Sequence, residues 1–195
     1  MAIVNPFPVE AIHAFLAEAQ VGNRFLFALT NAQRALIMAS DAVGGLTADD
    51  RGVVDPTLKS CWAVATRTSN QDLREYVERL YDRMPPDWED EYSSYNAAVN
   101  DALAALVYAI ESLAGDDTAD SAYNAANSMF ELADHLLQRH RTDGEYANDL
   151  AAAAVTALAA RAVVVDLEQL PLGAGAEDLR LRAISDGHRI AAVAP

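Results

Sequence analysis

The chain has 195 residues and a mass of 20.9 kDa, which suits a single domain. Hydrophobic residues make up 52% and charged residues 22%, a globular composition that excludes a disordered or fibrous chain. Twenty-nine acidic residues against 14 basic ones leave a net charge of −15, with Lys59 the only lysine. This excludes a groove that neutralises nucleic-acid phosphates and opposes an anionic membrane surface, whereas a basic partner would be attracted.

One cysteine, Cys61, rules out an intramolecular disulfide and a cysteine zinc cluster. The start, Met1–Phe15, lacks the basic region and long apolar core of a signal peptide. The longest apolar candidate, Ala151–Val165, contains Thr156 and Arg161, so no membrane span is expected. These features point to a cytoplasmic protein.

Forty alanines and the lack of alternating apolar–polar runs point to an all-α fold. The expectation is a compact bundle of about six to seven helices in one domain, 1–195. Pro8 opens a first helix to Gln20, with Ile12, Phe15 and Leu16 inward. A second runs from Asn23 to Val43, with Phe25, Leu29, Ala32, Leu36 and Ala39 lining one face and Arg24, Gln33 and Arg34 as its polar residues. Thr47–Val54 reads as a loop. Asp55-Pro56 then reads as cap and first turn of a third helix to Thr66. A fourth, charged helix runs from Ser69 or Asn70 to Arg83 and packs by the narrow stripe Leu73, Val77 and Leu80.

Met84-Pro85-Pro86 ends that helix, and Asp87-Trp88-Glu89-Asp90-Glu91 is the most acidic stretch. A fifth helix spans Tyr92–Leu113 on a clear 3–4 apolar spacing. A sixth runs from Thr118 to His140. The seventh, Tyr146–Gln169, is apolar nearly all round and is expected to be the central, most buried helix. Residues 171–176 read as a flexible connector before a short C-terminal segment, 177–195, with a short helix at Glu177–Ile184. No repeat of fixed period is visible.

Chemistry-bearing patterns are sparse. Asp116-Asp117-Thr118-Ala119-Asp120 matches the DDxxD spacing of magnesium–diphosphate sites, yet it falls at a helix start, where Asp serves as a cap. Glu75/Glu78 and Glu131/Asp134 each place two carboxylates on one helix face, as all-helical pyrophosphohydrolases do. Fifty-two residues separate the pairs, and Arg74 and Arg79 flank the first as on a solvated, ion-paired face. His135 and His140 diverge by about 500° of helix rotation and suit one metal poorly. No nucleophile elbow, P-loop or dinucleotide fingerprint occurs. No catalytic residue, metal ligand or cofactor is therefore expected. Arg161, set among Ala and Val, is expected to be at least half-buried and to pair with Asp101 or Glu131.

Several segments together resemble the YjaG-like bacterial family of unknown function. They are Trp62 on the third helix, the charged helix after it, Met84-Pro85-Pro86 with its acidic loop, and Tyr95 to Asp101 with Leu106. Leu113–Gly115 and Ser128–Leu132 match the next turn and helix. The resemblance covers most of the chain and implies a compact all-helical fold. It supplies no activity, cofactor or catalytic residue.

Three functions follow as expectations. The first is a non-enzymatic protein that binds another protein or itself as a homodimer. The second is an acidic inhibitor or immunity-type protein that masks a basic target, with Asp87, Trp88, Glu89, Asp90 and Glu91 as the contact segment. The third is a metal-dependent hydrolase of a phosphorylated small molecule, using the paired carboxylates.

Overall fold

The computed structural model describes residues 6–43, 45–84, 94–138 and 150–194. Eight helices and no strand occur among them: α1 (Val9–Glu18), α2 (Val21–Val43), α3 (Ala48–Ala65), α4 (Glu75–Tyr81), α5 (Ser94–Ala114), α6 (Thr118–Gln138), α7 (Leu150–Gln169) and α8 (Ala176–Ala191). The count is slightly above the six to seven expected.

Helix α2 is the centre of the bundle. It packs on α5, α6 and α8, with lesser contacts to α3 and α7. Every residue from Phe27 to Leu36 is buried, so all sides of the helix are covered there. The run includes Thr30, Asn31, Gln33 and Arg34. Their burial is tolerated because each is hydrogen-bonded. Thr30 Oγ1 donates to the Phe27 carbonyl at 2.8 Å, Asn31 Nδ2 donates to the same carbonyl at 2.8 Å, and Gln33 Oε1 accepts from Trp62 Nε1 at 3.0 Å. The polar residues Gln33 and Arg34 thus lie in the interior.

The central place expected for the seventh helix is corrected accordingly. On α7, Ala157, Arg161, Val164 and Glu168 form an exposed stripe. An alanine-rich helix looks apolar all round, but alanine covers little surface, so apolarity alone does not place a helix at the core.

Two helix boundaries differ for local reasons. Helix α3 starts eight residues before Pro56, at a capping box that the loop reading of Thr47–Val54 misses. Asp50 N–H donates to Thr47 Oγ1 at 3.1 Å, and Thr47 N–H donates to Asp50 Oδ2 at 2.9 Å. Pro56 then lies inside the helix. Helix α4 is only seven residues long. Before it, Ser69 Oγ accepts from Gln71 N–H and Asp72 Oδ1 accepts from Arg74 N–H. Those side chains offer the backbone an alternative to helix. In contrast, α8 extends to Ala191, well beyond the short helix expected.

Helix α5 contains an 18-residue window, Ala97–Ala114, apolar enough by composition to cross a membrane, and 61% of that window is buried. It packs on α6 and α2, so a core position explains its hydropathy. Cys61 is wholly buried, and burial pushes its thiol pKa up to about 12. It is an inert, thiol-protonated core residue.

Candidate functional site

A cluster of five charged side chains joins α2, α7 and α8. Arg34, at the middle of α2, is fully buried. Its Nη1 pairs with Asp166 Oδ2, and its Nη2 donates to Asp166 Oδ1 at 3.1 Å and to Asp186 Oδ2 at 3.1 Å. Nη1 also donates to Asn31 Oδ1 at 3.3 Å. From α8, Arg182 Nη2 reaches Asp166 Oδ1 at 2.6 Å, and Arg189 Nη2 reaches Asp186 Oδ1 at 3.0 Å. Burial opposes the Arg34 charge, but Asp166 and Asp186 outweigh it and raise the pKa above the ordinary arginine value. Within the cluster, Arg34 Nε and Arg182 Nε have no hydrogen-bond partner.

This cluster is fixed charge rather than reactive chemistry. A guanidinium does not give up its proton, and both carboxylates are occupied by two arginines each. Its effect is to hold α8 against α2. At the same crossing, Gly187 brings α8 so close that an added Cβ would lie 2.9 Å from Ile37 Cβ. His188 Nδ1 bonds Asp41 Oδ2 at 2.5 Å on the outer side of the crossing.

The ion pair expected at Arg161 does not form. Arg161 is exposed and makes no ion pair among the described residues, because the outer side of α7 lets its guanidinium reach water directly. The interior carboxylate of α7 is Asp166, which takes Arg34. Asp101, on α5, instead bonds His135 on α6, with His135 Nδ1 2.6 Å from Asp101 Oδ2. Glu131 is exposed on α6. Residues Asp87, Trp88, Glu89, Asp90 and Glu91 lie outside the described residues.

The structure separates the carboxylates of the metal patterns. Asp117 caps α6, accepting from Asp120 N–H at 3.1 Å. Glu75 and Glu78 are exposed on α4, which packs on α3 and α5, whereas Glu131 and Asp134 border a cleft between α6, α7 and the start of α1. Among the described residues no three His, Cys, Asp or Glu side chains converge in a way that could hold a metal ion.

The Asp101–His135 pair carries a pH dependence. The hydrogen bond to Asp101 raises the His135 pKa above 6.5. Partial burial opposes this, and the charges of Asp101, Glu131 and Asp134 reinforce it. The folded state therefore binds this proton more tightly than the unfolded state. Its contribution to stability is full below about pH 6.5 and is lost as pH rises through the folded pKa. The stability gap between the wild type and His135→Gln should shrink as pH rises above about 6.5, as read by urea unfolding. A gap that is constant with pH contradicts the pairing.

Sequence reasoning missed Arg34, Asp166, Asp186 and Arg182. The available signal was Arg34 itself, three residues from Asn31 inside a run otherwise flanked by core residues. Its partners lie 132 and 152 residues away, beyond what spacing reveals.

The outer surface of the α7–α8 pair carries three exposed large apolar side chains among exposed charged ones that include Arg161, Glu168, Glu177, Asp178 and Arg189. Leu172 is 82% exposed, Leu181 58% and Val164 37%. On α8, Arg182 and Asp186 turn inward while the adjacent Leu181 turns outward.

Compared with protein-family models, curated proteins and solved structures, the chain matches none of them.

Proposed function

We propose that the chain is a non-enzymatic binding protein that acts by protein contact, in the simplest case with a second copy of itself across the outer face of α7 and α8. The observation that carries this reading is the exposure of Leu172 and Leu181. Arg182 and Asp186 turn to the interior while Leu181, between the exposed residues of the helix, together with Leu172 just before it, stands in water. Exposed leucines scattered singly are ordinary. Here they sit on an element clamped from behind by the Arg34 cluster. Apolar side chains on a rigidly held element lose little freedom on association.

The expected outcome is a dimer that persists at high salt, since apolar contact is not screened as charge is. Light scattering across a concentration series should show the mass doubling. The variant Leu172→Glu/Leu181→Glu should remain monomeric with unchanged helix content. A wild type that stays monomeric, or a variant that dimerises equally, contradicts the reading.

The net charge of −15 favours a second reading, an acidic inhibitor that masks a basic protein. Capture of such a partner would weaken steeply with ionic strength. It would be abolished by charge reversal at Asp87, Glu89, Asp90 and Glu91.

A further inference from the structure

We infer that the cleft between the start of α1, α6 and α7 binds a small organic ammonium ion. This site is separate from the α7–α8 outer face and does not rest on the self-association reading. The cleft has a volume of about 380 Å³, within the range of small-molecule sites. Helix α6 contributes Tyr123, Asn127, Phe130, Glu131 and Asp134, at the three- and four-residue spacings of one helix face. Phe7, just before α1, stacks on Phe130 with centroids 4.8 Å apart and tilts against Tyr123 at 6.2 Å. One part of the cleft is thus aromatic.

The polar part is acidic. No Lys, Arg or His occurs in the described lining. Asp134 already has an interaction within the chain, so Glu131 is the carboxylate open to a ligand. Glu131 is exposed and makes no ion pair among the described residues. Both acids lie one turn apart on α6, so their negative potentials add. That potential already acts on a neighbour, because Glu131 and Asp134 both favour the protonated form of His135.

These features select among ligand classes. An anion would meet no cation in the described lining. A hard divalent metal needs six or more oxygen ligands, which this partly aromatic cleft does not assemble. A neutral apolar molecule would leave Glu131 without a counter-charge. An alkylammonium ion satisfies both halves, because its charge pairs with Glu131 and its alkyl groups pack against the aromatic side chains.

The test is a calorimetric and NMR titration of the full chain with tetramethylammonium chloride, at ionic strength matched with sodium chloride. Saturable binding is expected, with shifts at Tyr123 and Phe130. Glu131→Gln, an exposed and conservative change, should weaken it by about tenfold through loss of the one ionic contact. Glu177→Gln on α8 should leave it unchanged, as should Leu172→Glu/Leu181→Glu, which keeps failure of this site distinct from failure of the dimer face. The inference is overturned by any of three results. They are no saturable binding, equal weakening by Glu131→Gln and Glu177→Gln, or equal binding of neutral tert-butanol.

Discussion

Replacing Arg34 with methionine is expected to lower the free energy of unfolding by about 3–5 kcal/mol, the cost of breaking a buried ion pair from one side. The methionine fills a similar space, so the loss arises mainly from charge. Asp186 would keep only the half-exposed Arg189, and Asp166 only Arg182. Urea unfolding reads the change directly. Neutralising the acids as well, in Arg34→Met/Asp166→Asn/Asp186→Asn, should recover part of the loss, since no buried carboxylate is then left short of a partner. A single variant that loses less than about 1 kcal/mol would place Arg34 in a solvated or replaceable position. The same clamp predicts where the damage appears. Amide exchange in α8 should accelerate before exchange in α5 or α6, because α8 loses its charged tether while the apolar contacts of α5 and α6 with α2 remain.

Gly187→Ala is expected to destabilise the protein by about 1–3 kcal/mol, the usual cost of overpacking. Helix propensity alone predicts the opposite sign, since alanine is favoured over glycine by about 1 kcal/mol inside a helix. The steric term wins because the new Cβ would sit 2.9 Å from Ile37 Cβ and 3.3 Å from the Arg34 carbonyl oxygen. Neither is the free end of a flexible side chain, so α8 itself must move, and the Arg34–Asp186 contact moves with it. Gly52→Ala in α3 is the matched control. An added Cβ there meets nothing within 4 Å, so that variant should gain up to about 1 kcal/mol. Thermal unfolding of the two variants should therefore shift in opposite directions. A Gly187→Ala protein as stable as Gly52→Ala would contradict the close α2–α8 crossing.

The helical character of the chain was legible because alanine content and 3–4 spacing act locally. Ile12 and Leu16 on α1, and Leu103, Leu106 and Ile110 on α5, are buried as their spacing implies. Other features depended on competition between local signals. Pro56 is a strong helix-start residue, yet the Thr47–Asp50 capping box satisfies backbone donors earlier and sets the boundary. Ser69 and Asp72 bond the backbone and shorten α4. The order of burial was harder still. Thr30, Asn31, Gln33 and Arg34 make α2 look two-faced, but their hydrogen bonds let it occupy the centre, while α7, apolar by composition, leaves one side in water.

The candidate sites were less legible than the fold. Pairing Arg161 with Asp101 or Glu131 follows the sound rule that an arginine among apolar residues needs a partner. That rule applied to Arg34, whose acids come from α7 and α8. Glu131 was visible as half of a carboxylate pair. Its place beside Phe7 depends on how the start of α1 meets α6, which no local pattern encodes.

Hydrogen exchange of the wild-type protein at two concentrations, about tenfold apart and on either side of the dimer midpoint, tests the protein-contact reading most directly. Slower exchange at the higher concentration, confined to 164–185, is the predicted result. Exchange that does not depend on concentration, or protection that appears instead on α3 and α4, would contradict it.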